Sequence, residues 1–153
     1  MVSKLLFICT GNTCRSPMAE GLARKIFGDL VQIGSAGMEA CLGQSASTHA
    51  LEVLKEQNID LSRHRSRRIR AELMAEADWI IPMTLAQEEA LKRFFPEYRD
   101  KTRYLGDWGD IKRDVLDPYC GSLEVYRQTA DEIRELLIAL KDHPDFYHPS
   151  KKT

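Results

Sequence analysis

The sequence is poor in cysteine and has no long apolar run, and each shortage excludes a class of protein. Only four cysteines occur in 153 residues, too few and too scattered for a disulfide framework in a chain of this size. The longest early apolar run, residues 5–9, is far shorter than the ~20 residues of a membrane-spanning helix. It also lacks the length and the cleavage site of a signal peptide. We therefore expect a protein of a reducing cytoplasm, with free thiols and no membrane contact.

Net charge is also nearly absent. Twenty-two Lys and Arg residues oppose 23 Asp and Glu residues, so the chain lacks the basic excess of a nucleic-acid-binding protein. Its 43% apolar and 29% charged residues are typical of globular proteins and exclude the disordered class. We expect a monomeric protein with a single domain over residues 1–153. The polar, proline-bearing tail, residues 143–153, is predicted to be loosely attached.

Short apolar runs alternate with amphipathic stretches along the chain. Strands are predicted at residues 4–8, 31–33 and 79–81, with a weaker one at 102–105, and helices at 16–27, 47–57, 85–95 and 123–141. This alternation predicts an α/β fold in which a four-stranded parallel sheet is flanked by helices on both faces, in three layers. Ligands bind such sheets outside the carboxyl ends of the strands, which directs attention to residues 9–16.

The loop after the first predicted strand carries the chemistry. It spaces Cys9 and Arg15 by five residues, places Gly11 where the backbone must curl, and leads into a helix for which Ser16 is the predicted N-cap and Pro17 the first residue. Backbone N–H groups and a helix N-terminus directed at one point suit a phosphate group. Arg15 adds a permanently charged, bidentate clamp. The predicted phosphate-binding residues are Thr10, Gly11, Asn12, Thr13, Cys14, Arg15 and Ser16.

The same surroundings favour the thiolate form of Cys9, because a helix N-terminus and a guanidinium both stabilise a negative sulfur. A thiolate at the bottom of a phosphate cradle is a nucleophile for phosphoryl transfer. A cysteine and an arginine at this spacing also occur by chance in chains of this composition, so the spacing alone does not establish a phosphate site. In the alternative interpretation Cys9 is an apolar residue at a strand end and Arg15 is a solvated helix cap.

The chain resembles the low-molecular-weight protein-tyrosine-phosphatases over nearly its whole length. The strongest match is residues 9–20, CTGNTCRSPMAE. Other matching stretches are Gly34-Ser35-Ala36-Gly37, Ile59-Asp60-Leu61-Ser62, His64, Ser66-Arg67, Met83-Thr84 and Asp117-Pro118-Tyr119. The resemblance implies the fold of that family and a two-step hydrolysis through phosphocysteine, without a metal or a cofactor. It also implies that the substrates are phosphorylated proteins and that phosphate is a product.

The resemblance also assigns roles to individual residues. Cys9 is implied to be the nucleophile and Arg15 to bind the phosphoryl oxygens. Asp117 is implied to protonate the leaving group and then to deprotonate the attacking water. By sequence alone Asp117 is one of several acids in its loop, and only the Asp-Pro context distinguishes it.

Further residues match positions that support the phosphate-binding loop in the family. Ser16 resembles the hydroxyl that bonds the cysteine thiolate and eases its departure. Asn12, Ser35 and His64 resemble the network that holds the loop in a strained shape. Without the resemblance, His64 would be interpreted as a solvent-facing residue within a basic run.

Two positions bear on the substrate. At position 13 the chain has threonine and so resembles the bacterial protein-arginine-phosphatases, which carry threonine there. Phosphotyrosine enzymes of the family usually carry a bulkier branched aliphatic residue at this position. A smaller, polar side chain suits a wide, charged guanidinium. Tyr119 resembles a pocket wall, and Cys120 stands where eukaryotic members commonly have a second aromatic residue. We expect a phosphoarginine phosphatase, with a phosphotyrosine phosphatase as the alternative.

Three other functions compete with hydrolysis. A thiol-coupled arsenate reductase shares this fold and loop, but it needs further cysteines after the third strand, and residues 78–95 contain none. A phosphocysteine carrier of the sugar-transport type would need neither Arg15 nor Asp117. A non-catalytic phosphoprotein-binding module would not need nucleophile, arginine and acid together.

The roles of the remaining cysteines and of a basic run are less well defined by the sequence. Cys14 is either a redox partner that protects Cys9 through a reversible disulfide or a small buried residue that shapes the loop. Cys41 is interpreted as structural, and Cys120 has no explanation. Residues 63–70 contain five arginines, which form either a solvated face, a docking surface for acidic proteins or, less favoured, a nucleic-acid contact.

Overall fold

The computed structural model describes residues 2–149. Strands and helices alternate along the chain, and short 3₁₀ turns connect some of them. The elements are β1 (Lys4–Cys9), α1 (Arg15–Phe27), β2 (Gln32–Gly37), α2 (Thr48–Glu56), α3 (Ala71–Glu76), β3 (Trp79–Pro82), α4 (Leu85–Phe94) and α5 (Leu123–Asp142). The α/β class predicted from the sequence is confirmed.

The three strands form one parallel sheet in the order β2-β1-β3. Leu5 of β1 pairs with Ile33 of β2 on one side and with Trp79 of β3 on the other. The central position suits β1, because five of its six residues are apolar and buried, as expected for a strand covered on both faces. Its carboxyl end therefore lies in the middle of the sheet edge where the loop of residues 9–16 begins.

Helices cover both faces of the sheet. Leu5 and Phe7 belong to a core cluster shared with α1, α2 and α5, whereas Leu6 and Ile8 belong to a second cluster shared with α3 and α4. Alternate residues of β1 thus face opposite layers, which is the period of a strand. Full burial of a leucine or phenylalanine side chain contributes about 1.5–3 kcal/mol, so both interfaces stabilise the three layers.

The predicted fourth strand is wrong among residues 2–149. Near residues 102–105 only an isolated bridge joins Thr102 to Ile80. The N–H of Arg103 donates to the Ile80 carbonyl, but the N–H of Tyr104 donates to the carboxylate of Glu88, 2.8 Å away. The chain then enters a 3₁₀ turn at Leu105–Asp107. The Glu88 carboxylate of α4 therefore fixes Tyr104 where the chain turns away, and the pairing with β3 does not continue beyond this one bridge.

Two further elements differ from the sequence prediction. The second strand does not end at residue 33 but continues through Gly34, Ser35 and Ala36 to Gly37. Small residues usually indicate a turn, yet here they lie in register with β1, and Gly37 pairs with Cys9. The helix α3 was not predicted, because its six residues are too few to display a helical period.

The tail is more firmly attached than the sequence predicts. Phe146 is only 1% exposed and its ring packs against Phe27 and Trp108. The indole N–H of Trp79 also donates to the Phe146 carbonyl, at 2.9 Å. The expectation of a loose tail is wrong at this point, because one aromatic residue fills the end of the core. Its last part, residues 150–153, lies outside the described residues.

The longest helix, α5, agrees with its predicted span to within one residue, since it ends at Asp142 instead of residue 141. The Ser122 side chain accepts a hydrogen bond from the N–H of Val125 and so caps the helix. One face is buried, with Tyr126, Ala130, Ile133, Leu136, Leu137 and Leu140. The opposite face is polar. No helix within residues 2–149 is long and apolar enough to span a membrane.

Candidate active site

The loop of residues 9–16 lies between the end of β1 and the start of α1, at the carboxyl edge of the sheet. The helix begins at Arg15 rather than after Ser16, and its cap residue, Cys14, makes no side-chain cap bond. The sequence-based assignment of Ser16 as the N-cap is therefore wrong. The N–H groups of the first turn are free of capping side chains, so this helix end is open to an anion.

The carbonyl groups of the loop are bound from outside. The carbonyls of Cys9, Thr10 and Thr13 accept hydrogen bonds from the N–H groups of Met38, Glu39 and Ser47. A fourth carbonyl, that of Asn12, accepts from the ring of a histidine described below. Because these carbonyls point outward, the loop amides turn toward its centre, which makes an anion-binding concavity. We call residues 9–16 the cradle.

Asn12 holds the cradle together. It is completely buried and has a φ of 56°, in the left-handed region that few residues other than glycine adopt. Its side-chain amide donates to the hydroxyls of Ser16 and Ser35, both at 2.9 Å, and its oxygen accepts from the N–H of Arg67. Three hydrogen bonds thus maintain a backbone conformation that costs free energy.

The Cys9 thiol lies at the base of the cradle and is 3% exposed. Its Sγ accepts a hydrogen bond from the N–H of Asn12 at 3.3 Å and lies 2.9 Å from the hydroxyl of Ser16. Because the Asn12 side chain already donates to the Ser16 oxygen, the Ser16 proton is available to the sulfur. Both groups therefore stabilise a thiolate at this position.

His64 and Glu20 support the cradle from behind. The His64 side chain is only 7% exposed, and its Nε2 donates to the Asn12 carbonyl at 2.7 Å. Its Nδ1 lies 3.8 Å from the Glu20 carboxylate, which also accepts from the Ser35 hydroxyl. Burial opposes ionisation of Glu20, but the hydrogen bonds from His64 and Ser35 and the charge of Arg24 outweigh it, so the pKa of Glu20 is lowered. The solvent-facing interpretation of His64 is wrong.

The Arg15 guanidinium lies beside the cradle and is almost fully buried. One Nη1–H donates to the Val115 carbonyl at 2.9 Å, and Nη2 lies 3.7 Å from a carboxylate oxygen of Asp117. Val115 is itself fixed by its N–H, which donates to the Met83 carbonyl at the end of β3. A buried strand end thus orients the guanidinium, which leaves other N–H groups for a bound anion.

Among the loop acids, Asp117 is the one that faces Arg15. Its side chain is 53% exposed, and its other oxygen accepts from the N–H of Tyr119. Asp107 instead pairs with Arg103 and Lys112, and Asp114 accepts from the N–H of Leu85. The tertiary structure therefore distinguishes Asp117 from these neighbours.

The two residues predicted to affect substrate choice differ in exposure. Thr13 is half-buried, whereas Tyr119 is 73% exposed. Thr10 is connected to the opposite layer, because its hydroxyl accepts from the Gln87 side chain at 3.2 Å. The Gln87 oxygen in turn accepts from the N–H of Met83, so α4 braces the cradle.

Cys14 is buried, and its thiol points to α5. Its Sγ lies 3.2 Å from the hydroxyl of Tyr126 and 3.5 Å from that of Ser47. Burial and the hydrogen bond with Cys14 raise the pKa of Tyr126 to about 12. This phenol therefore remains protonated and available as a hydrogen-bond partner.

The other two cysteines are exposed, and all four thiols are free. Cys41 is exposed, so its assignment as a packing residue is wrong; its carbonyl accepts from the Ser66 hydroxyl, but its side chain faces solvent. Cys120 has a φ of 65° in the turn after Asp117. Nothing in the structure explains a thiol there.

Sequence reasoning missed several supporting residues. Glu20 received no role, although it lies within the matching stretch, and Gln87, Ser47 and Tyr126 were not singled out. Each acts through a partner distant along the chain, so no local pattern identifies it. Within residues 2–149, no group of three or more histidine, cysteine or acidic side chains could hold a metal ion.

Comparison with known proteins gives matches over most of the chain. Residues 4–144 match the family described as low molecular weight phosphotyrosine protein phosphatase. A protein-arginine-phosphatase of Bacillus subtilis (strain 168) is 43% identical over 137 residues, which cover 87% of this chain and 91% of that protein. The low molecular weight protein-tyrosine-phosphatase Wzb of Salmonella typhi is 36% identical over 126 residues, 82% of this chain and 83% of that protein.

A solved structure agrees with these matches. It is a YwlE arginine phosphatase in which a cysteine is replaced by serine and the active-site serine is phosphorylated. It superposes with a TM-score of 0.84 at 40% identity and covers 94% of this chain and 99% of its own. The chain therefore belongs to the low-molecular-weight phosphotyrosine protein phosphatase family and is a cysteine-dependent protein phosphatase.

Proposed function

We propose that this protein hydrolyses phosphoarginine in proteins through a phosphocysteine on Cys9. The observation that carries the proposal is the cradle itself, which gathers the Cys9 thiol, the Arg15 guanidinium and the Asp117 carboxylate around one concavity. The free state of all four cysteines fits a reducing cytoplasm as the compartment.

In the first step the Cys9 thiolate attacks the phosphorus, and the bond from phosphorus to the substrate nitrogen breaks. The cradle amides and Arg15 stabilise the negative charge on the phosphoryl oxygens. A protonated Asp117 gives its proton to the leaving guanidine nitrogen. The exposure of Asp117 leaves room for the substrate side chain.

In the second step a water molecule attacks the phosphocysteine. Asp117, now a carboxylate, takes a proton from the water, and the bond from sulfur to phosphorus breaks. The departing sulfur receives hydrogen bonds from the Ser16 hydroxyl and the Asn12 N–H, which stabilise it as a thiolate. Phosphate leaves and the enzyme returns to its starting state.

Trapping the covalent intermediate tests these roles. Rapid quenching of the Asp117→Asn variant with a phosphorylated substrate, followed by mass spectrometry, should find the phosphoryl group on Cys9. We expect kcat to fall by about 10²–10⁴, the usual contribution of a general acid or base. The absence of phosphate on Cys9 would contradict the proposed mechanism.

Thr13 supports phosphoarginine as the substrate. It belongs to the cradle and is half-buried. At the entrance for the leaving group, its short polar side chain would suit a wide, charged guanidinium. The similarity to the Bacillus protein-arginine-phosphatase, at 43% identity, points in the same direction. Asp117 is an acid that can also pair with the guanidinium of the substrate.

The discriminating measurement is kcat/KM on matched phosphoarginine and phosphotyrosine peptides, for wild type and Thr13→Ile. We expect wild type to prefer phosphoarginine and the variant to shift toward phosphotyrosine by about tenfold, equivalent to ~1.4 kcal/mol of transition-state binding. Thr48→Ile, on the exposed first turn of α2, serves as the matched control. A wild-type preference for phosphotyrosine would refute the assignment.

Phosphotyrosine is the alternative substrate. Tyr119 stands exposed beside Asp117, where its ring could stack on a phenyl group. The similarity to Wzb, a protein-tyrosine-phosphatase, also favours this alternative. The replacement of a second aromatic residue by Cys120 weakens it, because one stacking surface is lost.

We also propose that Cys14 protects Cys9 from irreversible oxidation. Peroxide would convert the Cys9 thiolate to a sulfenic acid, and the Cys14 thiol would then attack that sulfur and release water, forming a disulfide. Cys14 must first leave its contacts with Tyr126 and Ser47. Dithiothreitol should restore peroxide-treated wild type but not Cys14→Ser; equal recovery of both would refute the role.

A further inference from the structure

A second concavity lies behind the cradle, against the outer edge of β2. It has a volume of about 460 Å³ and is bounded by α1, by β2 and by residues 60–67. Four arginines line it, and we call it the arginine cleft: Arg24, Arg63, Arg65 and Arg67. No step of the proposed hydrolysis takes place in it, although some of its lining residues also support the cradle.

Three of these guanidinium groups are positioned by main-chain carbonyls. Arg24 donates to the Ile33 carbonyl at 3.1 Å, Arg67 to the Ser35 carbonyl at 2.9 Å, and Arg65 to the carbonyls of Ser62 and His64. For Arg65 and Arg67 these neutral carbonyls fix the guanidinium without cancelling its charge, whereas Arg24 is also paired with Glu20, at 2.6 Å. The remaining N–H donors are thus held in place for an anion.

The charge of the arginine cleft is unbalanced. Its four guanidinium groups face two carboxylates, Glu20 and Asp60, which leaves an excess of two positive charges. Glu20 is already engaged with Arg24, Ser35 and His64. A concave surface with excess positive charge concentrates anions. The near-neutral total charge of the chain conceals this local excess.

The arginine cleft has room beside the strand because position 34 is glycine. A Cβ atom at Gly34 would lie 2.9 Å from Nη2 of Arg67 and would displace the guanidinium. The arginine therefore lies directly against β2. The volume of about 460 Å³ also leaves space for an occupant larger than a single small ion.

The arginine cleft is connected to the cradle through Asn12. Arg67 lines the arginine cleft with its side chain, while its main-chain N–H donates to Oδ1 of Asn12 at 3.0 Å. His64 also lines the arginine cleft, and its Nε2 donates to the Asn12 carbonyl at 2.7 Å. An occupant that moves either residue acts on the side chain that orients Ser16 toward Cys9.

We propose that the arginine cleft binds a small oligophosphate, an anion with two or more linked phosphoryl groups, and that its binding changes turnover in the cradle. Several guanidinium groups around one space suit several phosphoryl groups, because each can receive a bidentate pair of hydrogen bonds. The binding does not depend on the function proposed above. Only the effect on turnover rests on it.

Binding is tested by titrating ¹⁵N-labelled full-length protein with inorganic triphosphate. The cradle also attracts phosphate, so the two places are separated by their own amide signals in NMR spectra. We expect saturable shifts at Gly34, Ser35, Arg63 and Arg65, in addition to those of the cradle. In the double variant Arg63→Ala/Arg65→Ala, the affinity for triphosphate obtained from the shifts of the arginine cleft should fall about tenfold, which corresponds to ~1.4 kcal/mol.

A matched control removes the same charge elsewhere. Arg93→Ala/Arg134→Ala, at two exposed arginines outside the arginine cleft, should leave these shifts unchanged. Unaltered cradle shifts in both double variants show that they are folded. The proposal is overturned by triphosphate shifts confined to the cradle, or by equal effects of the two double variants. It is also overturned if a poly-glutamate peptide, but not triphosphate, moves these amides, since that indicates docking of acidic proteins.

The effect on turnover is measured with p-nitrophenyl phosphate, whose hydrolysis does not require phosphoarginine specificity. Triphosphate in the cradle competes with substrate and raises KM, so the informative quantity is kcat at saturating substrate. We expect a change of about twofold or more in wild type and none in Arg63→Ala/Arg65→Ala, whose basal kcat stays normal. An unchanged wild-type kcat refutes the coupling, whatever the natural substrate proves to be.

Discussion

The Ser16 hydroxyl lies between two partners that fix its direction. The Asn12 side chain donates to its oxygen, and the Cys9 sulfur is the acceptor that remains for its proton. Asn12 can do so because the N–H of Arg67, 55 positions away, occupies its own oxygen. One main-chain group on a distant segment thus determines which way a buried amide points and where a hydroxyl proton goes.

Removal of this hydroxyl should slow the release of phosphate from Cys9. Loss of one hydrogen bond to a charged group costs about 1.5–3 kcal/mol, so we expect kcat of Ser16→Ala to fall by roughly 10- to 100-fold. Pre-steady-state kinetics with p-nitrophenyl phosphate should show a larger burst, because phosphocysteine accumulates. Ser62→Ala, at an exposed position, is the control. A normal kcat for Ser16→Ala would contradict the role given to this hydroxyl.

Glu20 should contribute stability that depends on pH. Because its pKa in the folded protein is below its ordinary value of 4.5, the ionised form favours the folded state. The contribution is present above about pH 4.5 and is lost as the pH falls through the lowered pKa. Glu20→Gln, which cannot ionise, should therefore differ most from wild type at neutral pH.

Calorimetry at several pH values measures this difference. At pH 7 we expect the Tm of Glu20→Gln to lie about 5 °C below that of wild type, from a loss of ~1.5–3 kcal/mol. The gap should shrink as the pH is lowered toward 3. Glu39→Gln, at an exposed position, should show no gap at either pH. A gap that is constant with pH would argue against the ionised state of Glu20.

At the scale of elements, the cradle depends on how closely β2 approaches it. A Cβ atom at Gly37 would lie 2.7 Å from the Thr10 carbonyl oxygen and 3.0 Å from the Asn12 nitrogen. Both atoms are backbone, so they cannot move aside as the end of a flexible side chain can. The absence of a side chain at this position lets the strand and the cradle touch.

Gly37→Ala should therefore damage both stability and activity. We expect the free energy of unfolding to fall by about 1–3 kcal/mol, as in overpacked cores, and kcat/KM to fall by at least about tenfold. Gly109→Ala is the matched control, since its Cβ would meet its nearest neighbour at an ordinary 3.5 Å. Denaturant unfolding and steady-state kinetics measure the two effects. Equal behaviour of both variants would contradict the close-approach argument.

Over the whole molecule, the segment after α5 packs into one aromatic cluster with residues from distant parts of the chain. Phe146 packs against Phe27 of α1 and Trp108, and the Arg103 guanidinium lies 4.0 Å from the Trp108 ring centre. This cluster closes the core at the end of the sheet opposite the cradle, beside the start of β3. It gives the tail a structural role despite its polar composition.

Phe146→Ala should therefore destabilise the whole domain. Truncation of a buried phenylalanine costs about 3–5 kcal/mol, whereas His148→Ala, at an exposed position, should have almost no effect. Because Phe146 is remote from Cys9, kcat of the folded variant should stay close to that of wild type. Unfolding in urea followed by fluorescence measures the difference. A stable Phe146→Ala protein would show that the tail packs only loosely.

Much of the fold could be predicted from local patterns. Continuous apolar runs identified β1 and β3, because a strand covered on both faces carries no polar period. The stripe of α5 and the caps and prolines beside the helices located four of the five helices found within residues 2–149. The short helix α3 and the extension of β2 through Gly34 to Gly37 were not predicted, because neither has a sequence pattern long enough to be recognised.

The sequence by itself determined the family and the cradle, because residues 9–16 are contiguous and their chemistry depends on local spacing. Only the tertiary structure decided which loop acid faces Arg15, that His64 is buried against Asn12, and that residues 102–105 form a single bridge rather than a fourth strand. The physical reason is the separation of the interacting residues along the sequence. A hydrogen bond or ion pair between segments separated by tens of residues depends on how the layers pack, and no local period in the sequence records that packing.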